Sequence, residues 1–566
     1  MDVRIFTDFY GFVRIFLKSV RICKNPYIHC VTNTHKIFYQ KMDRNFNLKR
    51  FRNETFDICI IGGGASGTGC ALDAALRGYK VALMERDDFA SETSSKSTKL
   101  IHGGVRYLEQ AFKNLDFAQL KQVKHGLEER QIVLENAPHL AQPLALVTPV
   151  RNWMEGMYFR IGLTLYGWFA GKKDTLPTSR FLNKKALFEK IPTLHPNTYG
   201  GILYYDGQFD DARYCLALAQ TANEAGAICV NHIEVLDFQK DSNSKLMGAT
   251  VQDTLTQESF QIKAKVFINC TGAGADWIRQ KANPKQVARM RPSKGVHVML
   301  PYAVLNSQQA LMIPKTPDGR IVFAVPFENK LMLGTTDEPY LKGQQEPLLE
   351  HQEVDFLIET LQPYLAETID KQSVISGFAG LRPLIGAPSS QGKATKRLLR
   401  DHEVEVDEAT GLISLLGGKW TTYRLMAQDT IDAVDALFQK KNPCKTASQR
   451  LVGAEGYDEN FYKKIVEKYH LEENICIYLA RKYGTRAESI AQLALEQPFL
   501  ARRLQPNSTL PITKAEIVYQ IRAESACTLR DILARRLRLE NTDWAATLEL
   551  LTPISHLLAV ELDWSE

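Results

Sequence analysis

A glycine-rich turn near the start of the chain constrains the fold more than any other feature. Residues 62–67 read GGGASG and lie between an apolar run at residues 56–61 and a helical pattern. In such a G-x-G-x-x-G turn, Gly62 permits the tight turn and Gly64 lets a phosphate approach the backbone. Gly67 lets the helix and the strand pack closely. The pattern predicts a β-turn-α-β unit of a parallel sheet.

An acidic residue completes this unit as a dinucleotide site. A second apolar run at residues 81–84 ends at Glu85, which stands 18 positions beyond Gly67. We expect the Glu85 carboxylate to accept hydrogen bonds from an adenosine ribose. Ser66 stands in the first turn of the helix, where free N–H groups and partial positive charge favour a pyrophosphate.

The sequence contains one complete fingerprint of this kind, and this favours FAD over a nicotinamide cofactor. The segment TGAG at residues 271–274 lacks the third glycine, because Trp277 occupies that position. A flavin reductase that uses NAD(P)H usually carries two fingerprints, one for each dinucleotide. We expect Thr271, Gly272 and Val235 to lie along the same FAD.

The predicted elements divide the chain into interrupted domains. Strands at residues 265–269 and 412–416 are expected to return to the parallel sheet, whereas residues 291–337 predict an antiparallel meander. The fold class is therefore α/β, with a Rossmann-like FAD-binding domain, an antiparallel-sheet substrate domain and a C-terminal helical domain. Helical patterns are clearest at residues 462–469, 475–483 and 514–536. The predicted bounds are 1–53 for a basic leader, 54–130, 200–280 and 375–440 for the FAD-binding domain, 131–199 and 281–374 for the substrate domain, and 445–566 for the helical domain.

The first 50 residues hold ten Lys/Arg and three Asp/Glu, a charge of +7, and so account for the net charge of +6 of the whole chain. The remaining chain has 60 basic and 61 acidic residues, so its charge does not indicate nucleic-acid binding. The leader fits a targeting peptide, a surface-lying segment or a disordered extension, and Met42 would open a shorter chain. Ten scattered cysteines without C-x-x-C or metal-ligand spacing predict a reducing compartment and no metal site.

Two glycine-containing segments place polar groups where a flavin could lie. TSSKSTKLIHGGVRY at residues 93–107 combines hydroxyls, His102 and paired glycines, although a solvated loop is the alternative. GGKWTTYR at residues 417–424 is not a phosphate loop, because Ile413 and Trp420 replace the required glycine and Ser/Thr. A strand-to-helix turn with a lysine suits the flavin end, where negative charge develops on reduction.

Three arginines indicate a phosphorylated substrate. Arg106 and Arg382 stand beside glycine-rich segments, and Arg400 follows further along the chain. Any one of them could be an ordinary surface charge, but together they suggest bidentate recognition of a dianionic phosphate.

These segments resemble those of FAD-dependent, respiratory glycerol-3-phosphate dehydrogenases and the related glycerol-3-phosphate oxidases. The resemblance covers about residues 54–540. It implies a discontinuous FAD-binding domain like those of glutathione reductase and D-amino-acid oxidase. It also implies oxidation of sn-glycerol 3-phosphate at C2 to dihydroxyacetone phosphate, with hydride passing to flavin N5. The strings that carry it are KLIHGGVRYL at residues 99–108, GTTD at 334–337, LRPL at 381–384 and GGKWTTYR at 417–424.

The resemblance also implies roles for individual residues. A neutral histidine suits removal of the hydroxyl proton, and His102 and His297 are alternatives for this base. The expected catalytic residues are His102, His297, Arg382 and Lys419. The expected substrate ligands are Arg106, Tyr107, Arg382, Arg400, Lys419 and Thr422. The expected FAD contacts are Gly62, Gly64, Ser66, Gly67, Glu85, Ser94, Ser95, Lys99, Leu100, His102, Val235, Thr271, Gly272, Gly418, Lys419 and Thr421.

The electron acceptor stays open between a quinone, as the resemblance implies for the dehydrogenases, and oxygen, as it implies for the peroxide-forming oxidases. Residues 157–173 are aromatic and apolar, with Arg160, Lys172 and Lys173 among them. They suit a surface that dips into lipid headgroups, or an ordinary buried helix. We predict a quinone-linked enzyme on the cytoplasmic, inner face of the plasma membrane, with a homodimer as one option. A non-catalytic FAD-binding sensor or scaffold is the alternative from another class.

Overall fold

Two sheets and a set of C-terminal helices make up the part of the chain that the structure, a computed structural model, describes. This part comprises residues 42–104, 117–169, 175–314, 316, 319–341, 343, 345–386, 402–505 and 510–564. Its strands are β1 (Thr55–Ile61), β2 (Val81–Met84), β3 (Leu100–Ile101), β4 (Ala141–Val150), β5 (Arg180–Asn183), β6 (Gly200–Phe209), β7 (Ile228–Val230), β8 (Ile233–Lys240), β9 (Leu246–Asp253), β10 (Ser259–Asn269), β11 (Ser293–Pro301), β12 (Ala310–Ile313), β13 (Val322–Phe327), β14 (Lys330–Gly334), β15 (Glu338–Pro339), β16 (Ser376–Arg382), β17 (His402–Val406) and β18 (Ile413–Gly417). Its α-helices are α1 (Arg44–Asn53), α2 (Ala65–Leu76), α3 (Phe117–Asn136), α4 (Trp153–Phe169), α5 (Lys184–Lys190), α6 (Asp211–Glu224), α7 (Ala275–Ala282), α8 (His351–Leu361), α9 (Tyr423–Leu437), α10 (Phe461–Tyr469), α11 (Glu473–Tyr483), α12 (Ala487–Glu496), α13 (Lys514–Glu524), α14 (Leu539–Thr542) and α15 (Trp544–Glu561).

The first sheet contains the predicted β-turn-α-β unit. Strand β1 pairs in parallel with β10 and β2, and parallel pairing continues from β10 to β18 and from β2 to β7. The order is β17-β18-β10-β1-β2-β7, with β9 beside β10 and β8 beside β9. Helix α2 packs on this sheet together with α6 and α9, so apolar strands are covered as a parallel sheet requires. The predicted returns of the chain to this sheet are confirmed.

The second sheet is mainly antiparallel and contains the predicted meander. Its order is β15-β11-β14-β13-β12-β4-β6-β3, with β16 beside β11 and β5 beside β6. Strands β6 and β16 belong here, whereas the predicted bounds at residues 200 and 375 placed them with the FAD-binding segments. The physical reason is backbone pairing, because β6 bonds to β4 along its whole length and β16 runs along β11.

The last residues of the predicted leader belong to the folded body. Met42 and Phe51 are buried, and the Arg44 guanidinium lies 3.0 Å from Asp253 Oδ1. Asn47 Nδ2 donates to the carbonyl of Cys229 at 3.0 Å. The predicted bound at residue 53 is therefore too late, since α1 docks against β7. Residues 1–41 lie outside the described part.

The C-terminal region is helical as predicted, but the helix expected over residues 514–536 is interrupted. Helix α13 ends at Glu524, and Ser525 adopts a left-handed φ of 53°. The Ser525 hydroxyl donates to the carbonyl of Met42 at 2.5 Å. A separate π-helical turn then covers Asp531–Arg536. The break depends on a contact with a residue far away in the sequence, so the local helical pattern does not reveal it.

Helix α4 presents an apolar face to the exterior, so the predicted alternative of an ordinary buried helix is wrong. Leu163 and Tyr166 on its other side are buried. The exposed residues recur at helical spacing. They are Trp153, Met154, Met157, Tyr158 and Ile161.

Candidate active site

The glycine turn joins β1 to α2 with no space for side chains. Gly62 has a φ of 107°, which glycine adopts readily. A Cβ on Gly67 would lie 1.8 Å from the Gly62 carbonyl oxygen, and a Cβ on Gly64 would lie 2.8 Å from Ser94 Oγ. These distances require glycine at both positions, so the turn packs closely at the start of α2, in the first turn of which Ser66 lies.

Glu85 lies beside this turn at the end of β2. Its Oε2 accepts a hydrogen bond from the Gly63 N–H at 2.6 Å, and its Oε1 accepts one from the Asp87 N–H at 2.9 Å. Burial, reinforced by the charge of Asp87, raises the pKa of Glu85 to about 7. The Ile233 N–H donates to the Glu85 carbonyl at 2.7 Å, which brings the start of β8, including the buried Val235, to the same edge.

The end of β10 meets the turn from the other side. The Cys270 N–H donates to the Ile61 carbonyl at 2.8 Å, and a Cβ on Gly62 would lie 2.6 Å from the Cys270 carbonyl oxygen. Thr271 and Gly272 follow directly, with Gly272 at a φ of 56°. These two predicted residues therefore lie at the carboxyl edge of the parallel strands, where open α/β sheets bind ligands.

Ser94 links three of the predicted segments. Its Oγ accepts a hydrogen bond from the Ala65 N–H at 2.9 Å, at the glycine turn. Its carbonyl accepts one from Trp420 Nε1 at 3.0 Å, in the GGKWTTYR segment. The neighbouring Thr93 hydroxyl donates to the Leu381 carbonyl at 2.6 Å, in the LRPL segment.

Lys99 is a buried cation within the hydroxyl-rich loop. Its Nζ donates to Asp211 Oδ2 at 2.8 Å, to the Ser95 carbonyl at 2.9 Å and to the Ser97 carbonyl at 3.1 Å. Burial lowers the pKa of Lys99 to about 8, although the Asp211 carboxylate opposes this shift. Ser95 is also buried. The alternative of a solvated loop is therefore wrong.

His297 lies buried in β11 beside this loop. Its Nε2 is 2.9 Å from Thr98 Oγ1, and its ring stacks on Phe378 with centroids 4.9 Å apart. A Cβ on Gly334 would lie 2.1 Å from the ring, so this glycine makes space for the imidazole. Burial holds the pKa of His297 well below its usual range, so the imidazole is neutral. Its Nδ1 is buried and has no hydrogen-bond partner in the described part of the chain.

Arg382 extends from the end of β16 across Gly295. Its Nη2 donates to the Thr336 carbonyl at 2.9 Å and to Thr335 Oγ1 at 3.1 Å. Its Nη1 donates to Asp337 Oδ1 at 3.2 Å. A Cβ on Gly295 would lie 2.6 Å from Nη2. The GTTD segment therefore holds the guanidinium, while 27% of the side chain stays exposed.

The GGKWTTYR segment forms the turn between β18 and α9. Gly418 has a φ of 87° and precedes the half-buried Lys419. The Thr422 hydroxyl donates to the Lys419 carbonyl at 3.3 Å, and Thr421 is buried. Trp420 packs its ring edge-on to Phe209, with centroids 4.9 Å apart. This packing holds the turn against the end of β6.

The other predicted residues have less direct connections to this cluster. Leu100 is buried in β3 and pairs with Gln208 of β6. His102 is half-buried and follows β3, next to Gly103, whose N–H donates to Tyr166 Oη at 2.7 Å. Arg106, Tyr107 and Arg400 lie outside the described residues.

His232, Cys527 and Asp531 form a buried group whose ligand-type atoms lie within 4.8 Å of one another. His232 Nε2 is 2.9 Å from Asp531 Oδ2, and Arg535 Nη2 donates to Asp531 Oδ1 at 2.7 Å. Both carboxylate oxygens therefore have protein partners. This is the arrangement of an ion-pair network rather than of a cation site.

Comparisons with known proteins assign this arrangement to a family. The family model described as FAD dependent oxidoreductase matches residues 57–424, and that of the C-terminal domain of alpha-glycerophosphate oxidase matches residues 444–566. The mitochondrial glycerol-3-phosphate dehydrogenase of Mesocricetus auratus is 40% identical over 548 residues, 94% of this chain and 74% of that protein. The chain belongs to the family of FAD-dependent glycerol-3-phosphate dehydrogenases.

Further members of the glycerol-3-phosphate dehydrogenase family agree with this assignment. A probable mitochondrial one from Caenorhabditis elegans is 40% identical over 91% of this chain and 72% of that protein. The structure of the glycerol-3-phosphate dehydrogenase of Bacillus halodurans, complexed with FAD, aligns with a TM-score of 0.75. It is 29% identical, and the alignment covers 94% of this chain and 95% of that one.

FAD is the cofactor of this family member, and the residues fit it. The turn at Gly62, Gly64 and Gly67 joins a parallel strand to a helix N-terminus, as a pyrophosphate site requires, and an acidic residue, Glu85, ends the next strand. The predicted α/β fold, with its antiparallel second sheet and C-terminal helices, is also confirmed.

The sequence patterns missed several residues of the site. Thr98 and Trp420 stand inside predicted segments, but their partners, His297 and Ser94, are distant in the sequence. Asp211 carries only the signal of an acidic residue at the start of a helix. For Arg538, no sequence pattern distinguishes the residue from an ordinary arginine at the surface.

Proposed function

We propose that the protein oxidises sn-glycerol 3-phosphate at C2 to dihydroxyacetone phosphate and passes the electrons to a quinone at a membrane surface. The family and its FAD support this proposal. The observation that carries it is the neutral, buried His297, which contacts the same loop that touches the FAD turn through Ser94. FAD supplies the hydride acceptor when bound.

His297 is proposed as the base that takes the proton of the C2 hydroxyl. A base must be unprotonated at working pH and within reach of its proton. The imidazole is neutral, its Nε2 faces Thr98, and its Nδ1 is the nitrogen without a partner among the described residues. His102 is the weaker candidate, because it is half-buried at the end of β3, whereas the imidazole of His297 is fully buried and neutral.

Arg382 and Lys419 are proposed to bind the phosphate of the substrate. A guanidinium already oriented by Thr335, Thr336 and Asp337 loses little freedom when it binds a phosphate. By holding the phosphate in place, a fixed cation also positions the C2 hydroxyl of the substrate relative to His297. Arg106, Tyr107, Arg400 and Thr422 remain proposed ligands on the sequence alone.

Helix α4 is proposed to contact the membrane from which the quinone is reduced. Five large apolar side chains are exposed together on one face of this helix, whereas soluble proteins ordinarily expose such residues singly. Exposed Arg160 lies on the same helix, and cations beside an apolar face favour anionic headgroups. No helix in the described ranges has the length and apolar content to cross a bilayer.

We propose a mitochondrial location for this membrane contact. The relatives from Mesocricetus auratus and Caenorhabditis elegans carry the word mitochondrial in their names, and the basic, acid-poor leader is of the type used by transit peptides. This location differs from the plasma membrane predicted from the sequence. Fractionation of cells that express the full chain tests the proposal, and a plasma-membrane pool without a mitochondrial one contradicts it.

Anaerobic addition of glycerol 3-phosphate to the purified holoenzyme tests the reaction. We expect the flavin absorption in the visible region to bleach and dihydroxyacetone phosphate to form in equal amount. An unchanged flavin spectrum contradicts the proposed substrate. Glycerol without phosphate is the matched control, because the cation-lined site should reject it.

The acceptor is tested by the second half of the same experiment. The reduced enzyme is mixed either with a soluble quinone analogue or with oxygen, and re-oxidation is followed. Faster re-oxidation by the quinone supports the proposal. Faster re-oxidation by oxygen, with hydrogen peroxide formed, contradicts the proposed acceptor and supports the oxidase alternative.

A further inference from the structure

Arg538 reaches from the C-terminal helices into the hydroxyl-rich loop beside the flavin site. Its side chain is completely buried, and its backbone adopts a left-handed φ of 72°. Its Nη2 donates to the Ser95 carbonyl and to Asp211 Oδ1, each at 2.8 Å. Its Nη1 donates to the Ala534 carbonyl at 3.1 Å. The guanidinium thus connects two parts of the chain that the sequence predicted as separate domains.

Asp211 connects Arg538 to the residues on both sides of Thr98. The Asp211 Oδ2 atom accepts from Lys99 Nζ at 2.8 Å, from Ser97 Oγ at 2.7 Å and from the Ser97 N–H at 3.0 Å. The Ser95 carbonyl that Arg538 bonds is also bonded by Lys99. Ser97 and Lys99 are therefore fixed on one carboxylate, the second oxygen of which faces Arg538.

Thr98 connects this fixed part of the loop to His297. Its hydroxyl oxygen is 2.9 Å from His297 Nε2, and its neighbours on both sides are immobilised. A hydrogen bond to one ring nitrogen of a histidine sets the tautomer and the orientation of the other nitrogen. The position of Thr98 therefore determines what His297 Nδ1 presents to a substrate.

We propose that Arg538 is a positioning residue, which fixes the loop at residues 95–99 and through Thr98 orients the imidazole of His297. The predicted effect on catalysis rests on the proposed function of His297. The predicted effect on the position of the loop does not. The competing explanation is that Arg538 only stabilises the contact between the C-terminal helices and the first sheet. Arg213 provides the matched comparison, because it is also buried and forms a bidentate pair with Glu524 across that contact at 2.6 and 2.8 Å.

The experiment compares three variants of the full-length holoenzyme with the wild type. Arg538→Met removes the charge and all three hydrogen bonds, and Arg538→Lys keeps the charge but not the planar fork. Arg213→Met removes an equally buried arginine that does not touch the loop. The readouts are FAD content, the visible circular dichroism of the bound flavin without substrate, and the limiting rate of anaerobic flavin reduction by glycerol 3-phosphate.

We expect Arg538→Met to keep FAD, to change the flavin dichroism and to lower the limiting reduction rate by at least tenfold. Arg538→Lys should recover part of the rate, and Arg213→Met should keep the wild-type spectrum and a rate within about twofold of wild type. A wild-type dichroism spectrum in Arg538→Met, or an equal loss in Arg213→Met, overturns the proposal. If the wild type is not reduced by glycerol 3-phosphate, the proposed function fails, and the dichroism comparison alone decides the role of Arg538.

Arg538→Lys decides the question if Arg538→Met does not fold. A reduction rate at least threefold below wild type, with FAD retained, then supports the proposal, and a smaller effect overturns it. The Michaelis constant for glycerol 3-phosphate separates positioning from binding. We expect it to change by less than threefold, because Arg538 lies behind the loop and contacts none of the proposed phosphate ligands.

Discussion

At the scale of single residues, His102 and His297 are the two candidates for the base, and the proposed function assigns this role to His297. We expect His297→Gln to lower the limiting rate of flavin reduction by about 10²- to 10⁴-fold, because a general base is lost. FAD should stay bound, since His297 contacts Thr98 and Phe378 rather than the glycine turn. Stopped-flow reduction under anaerobic conditions measures this rate.

His102→Gln is the matched control for that substitution, and we expect less than a tenfold effect. The two variants remove the same side chain, one from the end of β3 and the other from β11. If His102→Gln loses the rate and His297→Gln keeps it, the roles proposed for the two histidines are reversed.

We predict that Glu85 makes the affinity for FAD depend on pH. Its pKa of about 7 lies above the ordinary value of a carboxyl group because of burial, so the group is protonated as pH falls below 7. A protonated carboxyl is a weaker acceptor for ribose hydroxyls, and the dissociation constant of FAD should therefore rise by up to about tenfold per pH unit below that value. Fluorescence titration of the apoprotein with FAD between about pH 8 and pH 6 measures this rise.

Glu85→Gln should bind FAD more weakly at high pH and lose the pH dependence, because an amide does not titrate. Glu234→Gln, on the adjacent β8, is the matched control and should keep the wild-type dependence. An unchanged pH profile in Glu85→Gln would show that another group controls FAD binding.

At the scale of elements, the sequence predicted what local patterns encode. The unit from β1 to β2 and the meander of β11, β13 and β14 follow from short apolar runs separated by turns. The break after Glu524 could not be predicted, because Ser525 is held by the carbonyl of Met42. The site behaves in the same way, since the glycine turn is local whereas Thr98 and His297 stand 199 residues apart in the sequence.

Helix α4 carries a prediction that belongs to this scale. We expect Met157→Glu with Ile161→Glu to lower binding to anionic lipid vesicles by at least tenfold. Burial of one such apolar side chain contributes about 1.5–3 kcal/mol, so the loss of two should be measurable by co-sedimentation. Reduction of a water-soluble dye should stay within about twofold, because the flavin site is not altered.

Val560→Glu is the matched control, because Val560 is also exposed but lies on α15. It should bind vesicles like the wild type. Unchanged vesicle binding by the α4 double variant would remove the support for a membrane contact at this helix.

At the scale of the whole molecule, buried ion pairs join the C-terminal helices to the first sheet. Asp88, which follows β2, accepts hydrogen bonds from Arg536 Nη2 at 3.1 Å and from Arg535 Nε at 3.0 Å. Asn231 Nδ2 donates to the same carboxylate at 2.9 Å. The sequence could not predict this network, because a basic run such as residues 535–538 ordinarily indicates a solvated surface. Its partners stand hundreds of residues earlier in the chain.

This network predicts that Asp88 links the stability of the C-terminal helices to that of the first sheet. Asp88→Asn leaves two buried guanidinium groups without their shared anion, a loss that costs about 3–5 kcal/mol for buried pairs. We expect the apparent Tm to fall by several degrees, and helix loss followed by circular dichroism to precede FAD release followed by flavin fluorescence. In the wild type the two signals should change together, because the buried ion pairs tie the C-terminal helices to the sheet that binds FAD.

Asp432→Asn is the matched control for this change, because Asp432 is half exposed and its partner Arg77 keeps Asp73 and Asp435. A partly exposed pair contributes about 0–1 kcal/mol, so its loss should move the Tm little. If Asp88→Asn unfolds in one step at the wild-type temperature, the ion pairs do not join the two parts. The positions of Arg535 and Arg536 would then come from packing of the π-helical turn alone, since the same turn also carries Ile532 and Leu533 into the C-terminal core.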